Sequence, residues 1–141
     1  MKRIYQFLFI LLFHLPFSVF AQTVAISDFD REDTRDMNFE IIGKMNSNIL
    51  VYKNIRSNHK ISIFDKEMNT LETVKLDFVP DRTFNIDFVS YPDYFIMVYQ
   101  FQKGNILHCM AVKMDANAQK MTEPVEIDTT RIPVMSDNKI Y

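Results

Sequence analysis

The sequence predicts an all-β chain in which a four-stranded antiparallel unit is used more than once. Three observations carry that prediction. Val, Ile, Tyr and Phe gather in short runs, which suits a pleated and packed surface. Asn, Asp, Ser and Pro punctuate those runs at strand-length intervals, where turns need them. The order of runs and turns from Asn38 to Asp77 then recurs from Asn85 to Asp128.

The chain opens on a leader. Lys2 and Arg3 precede an apolar run, Ile4 to Leu15, interrupted only by Gln6 and His14; Pro16 ends it, and Val19-Phe20-Ala21 follow. This is the three-part pattern of a secretory signal peptide over residues 1–21, with cleavage between Ala21 and Gln22. The run falls short of the roughly 20 residues that a spanning helix needs, so no stable membrane span is expected after cleavage. Gln22, not Cys, stands directly after the cleavage point, so no lipid anchor is expected. The expected address is exported, periplasmic or extracellular.

Residues 22–37 form an N-terminal segment. The 141 residues hold 16 Lys and Arg against 18 Asp and Glu, interspersed and without a basic block, which leaves no electrostatic footprint for nucleic acid. A single Cys in an exported chain excludes an internal disulfide framework. Hydrophobic burial must hold the fold together.

Strands are expected at 38–44, 48–54, 59–65 and 71–77 in the first unit (38–80). In the second (81–130) they are expected at 84–90, 94–102, 105–114 and 122–128. Turns fall at Asn46-Ser47, Arg56-Ser57-Asn58, Lys66 to Asn69, Pro80-Asp81, Tyr91-Pro92-Asp93, around Gly104, and at Ala116-Asn117. Ile49 to Lys53 (ILVYK) matches Ile96 to Gln100 (IMVYQ), Ile61 to Asp65 matches Ala111 to Asp115, and Val74 to Asp77 matches Val125 to Asp128. A third copy begins within 131–141, where Met135 to Ile140 resembles Met45 to Ile49.

The stretch DYFIMVYQFQKGNILHCMAVKMD, Asp93 to Asp115, reads as a hairpin turning at Gly104. Phe95, Met97, Tyr99 and Phe101 share one face and Tyr94, Ile96 and Val98 the other, because side chains alternate along a strand. Both faces are apolar, which predicts a sheet covered on both sides. His108 and Cys109 are neighbours and point to opposite faces, so they cannot join in one metal site or one nucleophile–base pair. Cys109 reads as a small buried side chain and His108 as a packed or partly exposed strand residue.

A four-stranded repeat of this length is the signature of a β-propeller blade. The alternative is an eight-stranded β-sandwich or small barrel. The segments FEIIGKMNSNILVYK, KISIFDKEMNTLETVKLDF and KMTEPVEIDTT resemble those of exported bacterial β-propeller proteins of unassigned function. The resemblance implies a fold and an exported address, and carries no site residues. A closed propeller takes at least about four blades. The expectation is therefore an N-terminal portion whose further blades lie beyond it, or self-association that closes the ring.

Candidate sites are few. Asp28 to Asp33 is an acidic cluster that reads as a solvated segment. Asp65 to Asn69 resembles the start of a calcium loop, but Leu76 stands where such a loop needs a bidentate Glu, so it reads as a turn. His59 and His108 are expected at similar third-strand positions, and Tyr52 and Tyr99 at matching second-strand positions. Asp81 and Asp87 form an acidic pair with no basis in sequence for a shared cleft. No GxSxG, HExxH, CxxC or Gly-rich phosphate loop occurs. No catalytic, metal or cofactor-binding residue is assigned. The functional expectation is a non-catalytic binding or scaffold module for a protein or glycan. The alternatives are part of a propeller enzyme acting on glycans or esters, and a small β-barrel carrier with Phe95, Tyr99, Phe101 and Met110 around an apolar ligand.

Overall fold

A computed structural model describes residues 23–28 and 36–131. The expected signal peptide, residues 29–33 of the acidic cluster and the third unit from residue 132 onward lie outside the described residues. Eight strands make two antiparallel sheets: β1 (Met37–Met45), β2 (Asn48–Ile55), β3 (Asn58–Phe64) and β4 (Thr70–Lys75), then β5 (Thr83–Ser90), β6 (Tyr94–Lys103), β7 (Ile106–Asp115) and β8 (Val125–Arg131). Each sheet is a meander in sequence order, and no helix occurs among the described residues. β8 starts three residues later than expected, because residues after the 115–119 turn are tied back to β7: Lys113 N–H donates to Thr122 Oγ1, and Met121 and Thr122 donate to the Lys113 carbonyl.

The tight loops are set by backbone conformation. Asn46 and Ser47, then Arg56 and Ser57, all have positive φ, between 47° and 73°. That pair of left-handed residues gives the two-residue hairpin whose twist matches its strands.

A longer turn appears twice. In 65–69, Met68 N–H donates to the Asp65 carbonyl, Asp65 N–H to the Asn69 carbonyl, and Met68 is left-handed at φ 65°. In 115–119, Ala118, Asp115 and Gln119 repeat those bonds, with Ala118 at φ 56°. Asp65 and Asp115 each accept the closing backbone N–H, from Asn69 and Gln119.

These matched turns fix how the sheets correspond. Ile61 and Ala111 stand at the same separation from their turn aspartates. Tyr52 lies opposite Ile61, and Val98 opposite Ala111. The counterpart of Tyr52 is therefore Val98, not Tyr99. The sequence match of ILVYK with IMVYQ is one residue out of register, and one residue is enough to exchange the faces of a strand. His59 and His108 part in the same way. The counterpart of His59 is Cys109, and His108 points to the opposite side of its sheet.

We call face A the side that carries Leu50, Tyr52, Ile61 and Ile63 in the first sheet, and Ile96, Val98, Ala111 and Lys113 in the second. Face B is the reverse side. Face A of the first sheet packs against face B of the second, where Phe95, Met97, Tyr99, Val112 and Met114 are buried. The Tyr52 and Phe88 rings meet across this interface with centroids 5.3 Å apart. Beyond β4, Leu76 and Val79 are buried with Ala116 and Ala118, and the Phe78 ring lies 6.2 Å from that of Tyr99. Face A of the second sheet is only half-buried, so the expectation that both faces of Tyr94 to Met114 are covered alike is corrected.

The sheets converge at their first strands. β1 and β5 are the closest strands of different sheets, and the Ser90 hydroxyl donates to the Ile42 carbonyl. A bulge between Ile41 and Gly43 bends β1 there. Gly43 has φ 148°, and a Cβ at this position would stand 3.1 Å from Ser90 Oγ. Glycine is what allows the approach.

Candidate functional site

Along from that contact, β1 and β5 part to leave a cleft of about 250 Å³. Its walls are Asn38, Phe39, Glu40, Tyr52 and Asn54 from the first sheet and Thr83 to Asp87 from the second. β1 and β5 contribute corresponding residues. Asn38 lies opposite Asn54 as Asn85 lies opposite Gln100, and Glu40 opposite Tyr52 as Asp87 opposite Val98. The pattern Asn-x-acid, NFE then NID, thus recurs on the two strands that edge the cleft, with Asn38 and Glu40 on the side of β1 that faces the second sheet and Asn85 and Asp87 on the side of β5 that faces away from the first.

The cleft is rich in acceptors. Burial pushes the Glu40 carboxyl above its usual range, and the charge of Asp87 adds to the rise. Asn85 Nδ2 donates to Gln100 Oε1 at 3.0 Å. The Oδ1 of Asn54 is buried and has no hydrogen-bond partner, a state that is costly for a polar atom. Phe39 and Phe84 are 62 % and 52 % exposed.

Tyr52 forms the floor and is held from behind. Its hydroxyl oxygen lies 2.6 Å from His59 Nδ1, and the two rings stack with 16° between planes. Burial, with a smaller contribution from Glu40, pushes the phenol far above its usual range, so it stays neutral. His59 is buried, and burial lowers its pKa, while the Pro80 carbonyl and Asp81 act the other way. His59 Nε2 is buried and has no hydrogen-bond partner.

The other candidates disperse. His108 stacks on Phe101, centroids 4.9 Å apart, and its Nδ1 lies 2.5 Å from Glu126 Oε1. Cys109 is half-buried on face A, where its Sγ takes a weak contact from Gln100 Nε2 at 3.9 Å. Tyr99 is core, and burial raises its pKa. Asp65 spends both carboxylate oxygens on Asn69, which holds its pKa down. Asp81 sits in the connection after β4, and Asp87 is an exposed residue of β5 at the edge of the cleft. Phe95 and Tyr99 are buried in the sheet interface, with Phe101 and Met110 packed against it. No group of three or more His, Cys, Asp or Glu side chains able to hold a metal occurs among the described residues. No helix among them is long and apolar enough to cross a membrane.

Sequence reasoning passed over Asn38, Glu40, Asn54 and Asn85. NFE and NID already align when Asn38 is set beside Asn85, but nothing in the sequence shows that β1 and β5 come side by side. No family model, curated protein or solved structure matches this chain.

Proposed function

We propose that the chain is an exported binding or scaffold module of the β-propeller type, its two sheets being successive blades. One observation carries the reading: face A of one repeat packs on face B of the next. Stacking of unlike faces repeats in one direction, as blades do around an axis. A two-fold sandwich would oppose like faces. The convergence of β1 and β5 supports the same arrangement, since first strands of successive blades come together at the axis. The cleft there supplies a concave polar surface for a protein or glycan.

The test is direct. The full chain is expected to fractionate outside the cytoplasm and to bind one class of glycan or envelope peptide saturably, with no turnover of glycan or ester substrates. Retention in the cytoplasm, or catalytic turnover, contradicts the reading.

A further inference from the structure

We propose that face B of the first sheet and face A of the second are the two halves of one interface, through which a second copy of this chain docks head to tail. The proposal rests on the reading of the two sheets as successive blades and names the partner. The interface inside the chain is the template. There Ile86 and Phe88 of β5 pack against the core between the sheets. The strand registers make Phe39 and Ile41 of β1 their counterparts, on the side of the first sheet that the second does not cover. Both are apolar, and they are 62 % and 65 % exposed. The other half matches in the same way. Leu50 and Tyr52, buried under the second sheet, correspond to Ile96 and Val98, and Val125 is exposed where its counterpart Val74 is packed. Single exposed apolar residues are ordinary. Here the positions that build one interface recur on both outer faces.

Charge selects the occupant. Every lysine in the strands of the first sheet, Lys44, Lys53, Lys60 and Lys75, lies on face B, while Glu40 and Glu72 lie on face A. The outward face A of the second sheet carries Asp87, Asp115 and Asp128 against Lys113. Stacking unlike faces brings a basic surface onto an acidic one, whereas stacking like faces opposes like charges. Lys44 stands where the second sheet has Ser90, whose hydroxyl reaches the first sheet at Ile42. Asp87 is the counterpart of Glu40 on the receiving strand. Lys44 of one copy therefore comes within reach of Asp87 of the other. A head-to-tail contact of this kind makes a ring when its rotation closes, and two copies supply the roughly four sheets that a closed propeller needs.

The experiment is sedimentation of the full chain over a range of concentrations, in low and in high salt. A discrete dimer is expected, and it should weaken as salt screens its charges. Lys44→Glu/Lys75→Glu and, separately, Asp87→Lys/Asp128→Lys are each expected to weaken association by at least about tenfold. The chain that carries all four exchanges should regain it, because both halves then change sign together. A monomer at every concentration overturns the proposal. So does a dimer that either pair of exchanges strengthens or leaves unchanged, since paired unlike faces cannot behave so. The nuclear Overhauser contact between Tyr52 and Phe88, read in the same samples, reports the interface inside the chain. Its presence in a monomer leaves the reading of successive blades standing without the docking; its absence removes both.

Discussion

The two sheets share one strand order and one turn, yet face A is core in the first and half-open surface in the second. Leu50, Tyr52, Ile61 and Ile63 are between 0 % and 4 % exposed. Their counterparts are Ile96, Val98, Ala111 and Lys113. Lys113 stands where the first sheet has Ile63, and its ammonium lies over the Tyr94 ring at 3.8 Å. Val125, the counterpart of the packed Val74, is 60 % exposed. The backbone frame is repeated, while among the described residues only the face A of the first sheet has a second sheet packed on it. Lys113 for Ile63 is the exchange that adds a charge, since Gln100 and Cys109 stand where the first sheet has the polar Asn54 and His59.

The largest expected effect separates these faces at one position. Leu50→Ala removes a fully buried side chain and should cost about 2–5 kcal/mol of unfolding free energy. Ile96→Ala, at the corresponding site, should cost no more than about half as much, because part of its surface is already in water. Urea denaturation of both variants measures this. Equal losses would mean that the two A faces are equally covered, and the comparison would break.

A second contrast is in pH. His59 is buried on face A of the first sheet, where the second has Cys109. Its pKa is lowered in the fold, so the unfolded chain takes up a proton first. Stability is therefore full above about 6.5, the unfolded value, and falls as pH drops through it. The groups acting on the ring are Tyr52, Asp81 and the Pro80 carbonyl. Urea midpoints measured at about pH 7.5 and about pH 5.5 should differ less in His59→Gln than in the parent chain. An unchanged difference would remove His59 from the account.

The smallest effect sharpens the turns. Met68 and Ala118 are both left-handed without being glycine, at about 1–2 kcal/mol each. Met68→Gly should gain about 0.5–1 kcal/mol. Ala118→Gly should come out near zero, since it also deletes a buried methyl worth about 0.8 kcal/mol. Thermal melts of the two variants decide it. A gain at Ala118 as large as at Met68 would show that the second turn is not docked.

Much of the fold was legible. Strand runs and their Asn, Asp, Ser and Pro boundaries gave all eight strands, because turn chemistry is local. The register between repeats was not. ILVYK and IMVYQ reward matching by identity, whereas the hairpin after β6 is longer by the pairs Gln102 with Leu107 and Lys103 with Ile106, and Ile42 is an extra residue in β1. Such changes slide one strand past its counterpart with no trace in residue type. The cleft stayed hidden for another reason: it exists only through the packing of β1 beside β5, which no local residue pattern records.

The central claim is that face A of the first repeat packs on face B of the second. The measurement that tests it most directly is a nuclear Overhauser experiment on the aromatic rings. The account predicts cross-peaks from Tyr52 to Phe88 and from Phe78 to Tyr99, whose centroids are 5.3 Å and 6.2 Å apart. Cross-peaks from Tyr52 to Ile96 or Val98 instead would place like faces together and contradict it.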